Sequence, residues 1–170
     1  LVGWPLWKHV RFNQAVEYEQ AGKTAYARGD WQAAERQHLA SLEIYRALND
    51  QTGMVKQYDF LGSLYVSHHN LPGAIEMFLQ SLEIYKALGD QKEMAKQYAN
   101  LGSLYALSQQ FYYAEAMFVN SLNANFTLGN LEGMAKQYEN IGSLYYTFKA
   151  LPKSIEMFLK SLEIRQQLGQ

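Results

Sequence analysis

The chain has 170 residues, a formal net charge of −1 and no cysteine. With 48% hydrophobic and 18% charged residues it is too apolar for a disordered chain, and its near-zero charge predicts neither nucleic acid nor anionic membrane as a partner. The lack of cysteine excludes disulfides, thiolate catalysis and cysteine-ligated zinc, and it favours the reducing cytoplasm without requiring it.

Residues 1–10 form an apolar N-terminal segment that contains Trp4 and Trp7. The segment lacks the charged leader and the long apolar run of a signal peptide, and it is too short to cross a bilayer. We expect it to pack on the first repeat, with no membrane contact. The alternative is the end of a truncated membrane helix, because tryptophan is enriched at membrane surfaces.

The rest of the chain predicts eight helices joined by connections of two or three residues, with no room for strands. Glycines follow several helices, and Asp or Asn stands at N-cap positions, namely Asp30, Asp50, Asn70, Asp90 and Asn130. The predicted helices run from about 12 to 28, 31 to 49, 51 to 69, 71 to 88, 91 to a break at 109–110, 111 to 128, 131 to 149 and 152 to 168.

A ten-residue phrase, Lys-Gln-Tyr-x-x-(Leu/Ile)-Gly-Ser-Leu-Tyr, begins at Lys56, Lys96 and Lys136. A degenerate copy surrounds Gly22, so the glycines recur every 40 residues. A fixed period of this length is typical of a solenoid. We therefore predict four repeats in one continuous solenoid domain, at 11–50, 51–90, 91–130 and 131–170.

The recurring glycine lies inside a helix, where glycine costs about 1 kcal/mol relative to alanine, so it requires a packing reason. Each one precedes a small residue of the partner helix by twelve positions: Ala34, Ala74, Ala114 and Ser154. We expect these small residues to let the two backbones approach closely. Tyr58, Leu61 and Tyr65 are expected to lie beside Phe78 and Leu82.

These positions resemble the tetratricopeptide repeat (TPR) family, with repeat three giving Tyr98, Leu101, Gly102, Tyr105, Ala114, Phe118 and Ser121. Repeats two and four match at the corresponding positions, whereas repeat one departs at Ala25 and His38. The 40-residue unit is similar to the long-repeat subclass of kinesin light chain and the spindle-orienting G-protein adaptors. The resemblance implies an all-α right-handed superhelix of four helix-turn-helix repeats, whose first helices line a concave groove for a peptide or partner protein.

If the first helices line a groove, their exposed positions form columns. The predicted groove residues are Gln20, Tyr26, Lys56, Asp59, Ser63, Lys96, Asn100, Ser103, Lys136, Glu139, Asn140, Ser143 and Tyr146. The asparagines offer a carbonyl and an amide to a peptide backbone, a role that the long-repeat resemblance also implies. The lysines would attract acidic ligand residues. Alternatively, Lys56 pairs with Asp59 and Lys136 with Glu139, three residues along each helix.

Some members of the family bind a C-terminal carboxylate through a clamp of basic and Asn residues. Glu19, Asp59 and Glu139 occupy a column where that clamp needs a cation, so we do not expect this ligand.

Repeat three departs most from the others in its second helix. Residues 123–125 are Asn-Ala-Asn instead of Glu-Ile-Tyr, and Tyr112 and Tyr113 enlarge the start of the helix. We predict repacking in which Phe126 fills the volume released at Ala124, with a second contact patch on the convex side as the alternative. Residues 125–127 also match a glycosylation sequon, a short motif that requires secretion.

The sequence has no glycine-rich phosphate loop, metal-binding motif or nucleophile elbow. His68 and His69 would point about 100° apart on a helix, which prevents easy sharing of a metal, and His38 is expected to be a core contact. We predict a non-enzymatic scaffold that binds a protein or peptide and needs no cofactor or metal. The alternatives are a module that forms homo-oligomers through uncapped terminal repeats, or a regulatory domain of a larger protein.

Overall fold

The computed structural model describes residue 3 and residues 5–169. This part of the chain forms eight helices and no strands, so the predicted all-α class is confirmed. The helices are α1 Leu6–Ala27, α2 Trp31–Leu48, α3 Gln51–Ser67, α4 Leu71–Leu88, α5 Gln91–Leu107, α6 Phe111–Thr127, α7 Leu131–Thr147 and α8 Leu151–Gln167. Among the described residues, none of these helices has the length and hydropathy needed to span a membrane.

The chain divides into two compact units, Leu1–Ile84 and Tyr85–Gln170. In the first unit α1 packs on α2 and α2 on α3, and Phe78 of α4 lies against Gly62 of α3. In the second unit α5, α6, α7 and α8 pack in sequence, and α5 also contacts α7. Each unit therefore consists of consecutive helix hairpins, as the 40-residue period predicts.

Helix α1 begins at Leu6 instead of near Phe12. Pro5 precedes it in an extended conformation, with φ −64° and ψ 150°, and no glycine or proline interrupts the following residues. Residues 6–10 of the predicted N-terminal segment therefore belong to the first helix. Trp7 lines a cleft at the end of α2, whereas residues 1, 2 and 4 of the segment lie outside the described residues.

The predicted N-caps are confirmed by hydrogen bonds. The side-chain oxygens of Asp30, Asp50, Asn70, Asp90 and Asn130 each accept from the backbone N–H three residues later, at 2.9–3.1 Å. Helices α6 and α8 instead begin after Gln110 and Ala150, whose side chains make no capping hydrogen bond. At the five capped helices the cap marks the first residue of the helix.

Ring packing explains the recurring glycines. A Cβ on Gly22 would lie 2.5 Å from the His38 ring, and one on Gly102 would lie 2.6 Å from the Phe118 ring. The ring thus occupies the volume that a side chain would need. The expected contact with a small residue is also present in repeat four, where the Ser154 hydroxyl donates to the Gly142 carbonyl at 2.8 Å.

Tyrosines connect consecutive repeats through glutamates. The Tyr65 hydroxyl of α3 donates to Glu35 of α2 at 2.6 Å, and Tyr145 of α7 donates in the same way to Glu115 of α6. Burial and the carboxylate of Glu35 raise the pKa of Tyr65 to about 12. The hydrogen bond to Glu115, together with burial, raises the pKa of Tyr145 to about 12. Tyr65 therefore reaches the preceding repeat, a contact that the sequence reasoning missed.

The second helix of repeat three packs differently from the prediction. Phe126 is 72% exposed and does not fill the volume beside the buried Ala124, so that prediction is wrong. The helix buries Ala124 and Asn125, which turns the next residue towards solvent. Asn125 donates to the Ser121 carbonyl at 2.8 Å and accepts from Asn130 at 2.7 Å. This buried amide of the sequon is not accessible for glycosylation in the folded chain.

Candidate functional site

The clearest site among the predicted residues is a cleft in the second unit, between α5 and α7. It has a volume of about 560 Å³. Three predicted residues line it, Ser103 from α5 and Asn140 and Ser143 from α7, together with Thr147. Its apolar lining includes Leu107 and Phe148. We call it the inner cleft.

Helical periodicity explains why these side chains share a face. Positions 96, 100, 103 and 107 of α5 follow the spacing of one helix face, and positions 136, 140, 143 and 147 of α7 follow the same spacing. Since α5 and α7 contact each other, the two faces meet along the inner cleft. The period of the repeat thus brings matching residues of two repeats together.

The asparagines are held by buried glutamines on the same helix. Asn140 Nδ2 donates to Gln137 Oε1 at 3.1 Å, and Asn100 makes a longer contact with Gln97 at 3.5 Å. Both glutamines are buried. The bond orients the amide of Asn140 and leaves its carbonyl oxygen and second N–H for a ligand.

The predicted lysines Lys56, Lys96 and Lys136 are all exposed. Lys96 pairs with Glu93 at 3.2 Å, and its side chain remains 59% exposed. Such exposed pairs contribute at most about 1 kcal/mol, so a ligand carboxylate can replace Glu93 at little cost.

The predicted carboxylates contact the second helix of their own repeat. Asp59 accepts from the Ser81 hydroxyl at 2.6 Å, and Glu139 accepts from Ser161 at 3.2 Å and from Arg165 at 2.8 Å. The hydrogen bond from Arg165 holds the pKa of Glu139 below its ordinary value. Both carboxylates thus stabilise the hairpin, and a part in ligand binding stays a prediction.

The remaining predicted residues lie at several places on the first helices. The exposed hydroxyls of Ser63 and Ser103 donate to the carbonyls four residues earlier. Tyr26 of α1 is half exposed and packs edge-on against Phe60 of α3, with ring centroids 5.5 Å apart. Gln20 lines a separate groove beside α2, and Tyr146 is 65% exposed on α7. The structure thus brings three predicted residues into the inner cleft, Ser103 among them, and leaves Gln20, Tyr26, Ser63 and Tyr146 outside its lining.

A second cleft of the same unit lies where the sequence offered a second contact patch in repeat three only as an alternative. It measures about 730 Å³ and is lined mainly by aromatic rings from the start of α6 and from α7, namely Phe111, Tyr112, Tyr113, Tyr145 and Phe148. Gln109 and Phe148 line both this aromatic cleft and the inner cleft. The two tyrosines found only in repeat three were the available signal.

Among the described residues, no group of three or more His, Asp or Glu side chains is placed to hold a metal ion. His38 is a core contact as predicted, because its Nδ1 lies 2.6 Å from Gln57 Oε1. Burial is the main cause that holds the pKa of His38 below its ordinary value of 6.5.

No family model matches the sequence, and no curated protein matches it significantly. Solved structures do match. BtubC from P. vanneervenii is 22% identical, with a TM-score of 0.74 over 94% of this chain and 74% of that protein. A Podospora anserina putative kinesin light chain with nearly identical TPR-like repeats is 12% identical, with a TM-score of 0.76 over 91% of this chain and 76% of that one.

A signal-transduction ATPase of Pyrococcus horikoshii with a tetratricopeptide repeat sensor is 20% identical, with a TM-score of 0.81 over 92% of this chain. The chain has the tetratricopeptide-repeat fold. It spans only 25% of the ATPase, so the likeness concerns the repeats.

The packing of the fold accounts for one departure of repeat one, His38. His38 takes the position of Phe118 and places its ring on Gly22 as Phe118 does on Gly102. At this position of the signature, an aromatic ring packs against the glycine of the first helix. The imidazole of His38 can replace a phenyl ring there because Gln57 accepts its N–H.

Proposed function

We propose that the chain is a non-enzymatic protein-binding module that holds an extended segment of a partner protein along the first helices of its repeats. The inner cleft carries the proposal, because it joins Ser103, Asn140 and Ser143 from two repeats on one surface. The tetratricopeptide-repeat fold of the chain supports an interaction role in general terms.

The inner cleft offers the contacts that an extended backbone needs. Asn140 has a free carbonyl oxygen for a peptide N–H, and the hydroxyl of Ser143 and the second N–H of Asn140 can donate to peptide carbonyls. Leu107 and Phe148 provide an apolar surface for a ligand side chain. We infer that polar groups hold the peptide backbone and that the apolar lining selects an apolar side chain.

The lysines would add a preference for acidic residues at the margins of the site. Lys96 and Lys136 lie on the same helix faces as Asn100 and Asn140, one turn earlier. Because these lysines are exposed, their contribution should weaken as ionic strength rises.

Affinity capture from the native lysate tests the proposal. We expect the variant with Lys96→Ala, Asn100→Ala and Asn140→Ala to lose the captured partner while its helical circular dichroism stays unchanged. The matched control is Phe126→Ala, which removes a side chain that is 72% exposed on a second helix. Equal capture by the wild-type chain and the triple variant would contradict the proposal.

A second candidate function, self-association, rests on the exposed face of α8. Ile155, Leu159 and Leu162 follow one helix face and are 59%, 58% and 49% exposed. The residue matching Leu162 in repeat one, Leu42, is 4% exposed because it packs against Tyr58 of α3. The position of Leu162 is thus one that the next first helix covers in repeat one.

We expect two copies to associate through a contact between their α8 helices, and not through a contact of α1 in one copy with α8 in the other. Gln57 and Leu64 of α3 are buried. The matching residues of α1 are Glu17 and Thr24, both exposed, and burying the Glu17 charge in such a contact would be costly. A symmetric contact between two α8 faces avoids this cost.

Light scattering over a concentration series tests self-association. We expect the mass of the wild-type chain to rise with concentration and the Leu159→Lys variant to stay monomeric. Leu39→Lys is the matched control, since Leu39 occupies the same position of repeat one and is 38% exposed. A wild-type chain that stays monomeric throughout would exclude this function.

A further inference from the structure

The lining of the aromatic cleft points to one class of ligand. Five aromatic side chains line it, and two of them are largely exposed, Tyr112 at 81% and Tyr113 at 61%. Glu115 and Lys153 complete the charged part of its lining. All of these residues belong to the second unit, Tyr85–Gln170.

The fold does not require the two exposed tyrosines. The positions of Tyr112 and Tyr113 are occupied in the other repeats by Gln-Ala, Pro-Gly and Pro-Lys, at 32–33, 72–73 and 152–153. The second helices of those repeats begin at the matching residue, so small or polar side chains at these two positions are enough to form the helix. Large exposed aromatic patches on folded proteins commonly mark interaction surfaces.

The charges of the cleft are balanced. Tyr145 donates its hydroxyl to Glu115, and the ammonium of Lys153 lies 5.2 Å from the centre of the Tyr145 ring. Lys153 thus already occupies the face of Tyr145 that would attract a ligand cation. A neutral ligand with apolar surface therefore fits this cleft better than a charged one.

The cleft also presents hydrogen-bond donors at its rim. The exposed side chains of Tyr112, Tyr113, Gln109 and Gln110 carry hydroxyl and amide donors that suit the carbonyls of a peptide. A polyproline II helix has no internal hydrogen bonds, so all its carbonyls are available, and aromatic-lined grooves dock its proline rings. We propose that the aromatic cleft binds a proline-rich segment of a partner protein in the polyproline II conformation.

This site is distinct from the inner cleft, although Gln109 and Phe148 line both. The proposal holds whether or not Asn140 binds a peptide in the inner cleft. An Asn140→Ala variant should bind a proline-rich probe as the wild-type chain does, so the two sites can be tested separately.

Fluorescence anisotropy with a labelled oligoproline of about nine residues, about 28 Å long, tests the inference. We expect saturable binding to the wild-type chain and binding at least about tenfold weaker to the variant with Tyr112→Ala and Tyr113→Ala. Phe126→Ala is the matched control and should bind as the wild-type chain does, because Phe126 is an exposed ring outside the cleft.

Three results would overturn the inference: no saturable binding of oligoproline, equal binding by the double variant, or tighter binding of an arginine-containing peptide or a Gly-Ser peptide of the same length. Circular dichroism verifies that the double variant is folded. Should it lose helicity, Tyr112→Ala alone carries the test, because Tyr112 is the more exposed residue.

Discussion

Gln57 and Gln137 occupy matching positions of repeats two and four, and each is buried with its side-chain oxygen accepting a hydrogen bond. The donors differ. Gln57 is bonded by His38 of the preceding repeat, whereas Gln137 is bonded by Asn140 of its own helix. Phe60 stands at the position of Asn140 and stacks on His38 with centroids 3.6 Å apart.

A paired substitution tests whether these two arrangements are equivalent. His38→Phe alone leaves the buried oxygen of Gln57 without its donor, at a cost of about 1–3 kcal/mol. Adding Phe60→Asn restores a donor in the way that Asn140 supplies one. We expect urea unfolding of the wild type, the two single variants and the double variant to show a coupling of about 1–2 kcal/mol that favours the pair. Additive effects would show that the glutamine accepts no specific bond.

The burial of His38 also predicts a dependence on pH. Burial holds its pKa in the folded chain below the ordinary value of 6.5, against the opposing hydrogen bond of Gln57 and the charge of Glu19. The unfolded chain therefore binds the proton more readily, and the free energy of unfolding should fall as pH drops below about 6.5. The pKa of Glu19 is also lowered, from 4.5, so its effect belongs to a more acidic range.

Urea unfolding between pH 8 and pH 5.5 measures this effect, because these limits lie roughly one pH unit or more on either side of the ordinary histidine pKa. The variant with His38→Phe and Phe60→Asn should lose most of the pH dependence. A wild-type chain of constant stability over this range would contradict the assignment.

At the level of helices, one backbone position recurs every 20 residues. Glycines occupy it at 29, 89, 129 and 169 with φ of 79°, 69°, 65° and 75°. Between them, Asn49, His69, Gln109 and Lys149 occupy it with φ of 56–61°. Each described helix is thus followed by one residue in the left-handed conformation. The sequence predicts the stops at Gly29, Gly89 and Gly129 but not the left-handed conformation of the other four residues.

Exchanging the residues at two of these turns tests the backbone cost. A lysine in the left-handed conformation costs about 1 kcal/mol. Lys149→Gly should therefore raise the free energy of unfolding, by less than this amount because glycine also favours the unfolded chain. Gly129→Lys should lower it, again by less than about 1 kcal/mol, because lysine leaves the unfolded chain less freedom than glycine does. Thermal or urea unfolding measures both, and a loss of stability in Lys149→Gly would contradict the argument.

At the level of the whole chain, periodicity predicts the fold well and the site only in part. The recurrence of Gly22 and its copies gives the repeats, and the Asp and Asn caps give the helix ends. The start of α1 at Leu6 was missed because Pro5 provides no side-chain cap and residues 6–11 show no clear repeat pattern. The two units, Leu1–Ile84 and Tyr85–Gln170, are likewise not visible in a pattern that repeats evenly.

The columns of the first helices include Ser103, Asn140 and Ser143, which line the inner cleft, and their part in binding stays a prediction. They did not predict the structural bonds of Asp59 and Glu139, because a helix position alone does not say whether a carboxylate faces a ligand or the partner helix. The aromatic cleft combines residues 111–113 with residues 145 and 148, so only the packing of α6 on α7 shows that these rings meet.

The central claim is that a partner segment lies against the first helices. Site-specific photo-crosslinking tests it directly, with a benzophenone side chain placed either at Ser103 on α5 or at Ala116 on α6. Both positions are exposed, but only Ser103 lines the inner cleft. We predict that the captured partner becomes covalently linked from Ser103 and not from Ala116. Linkage from Ala116 alone, or equally from both positions, would contradict the account.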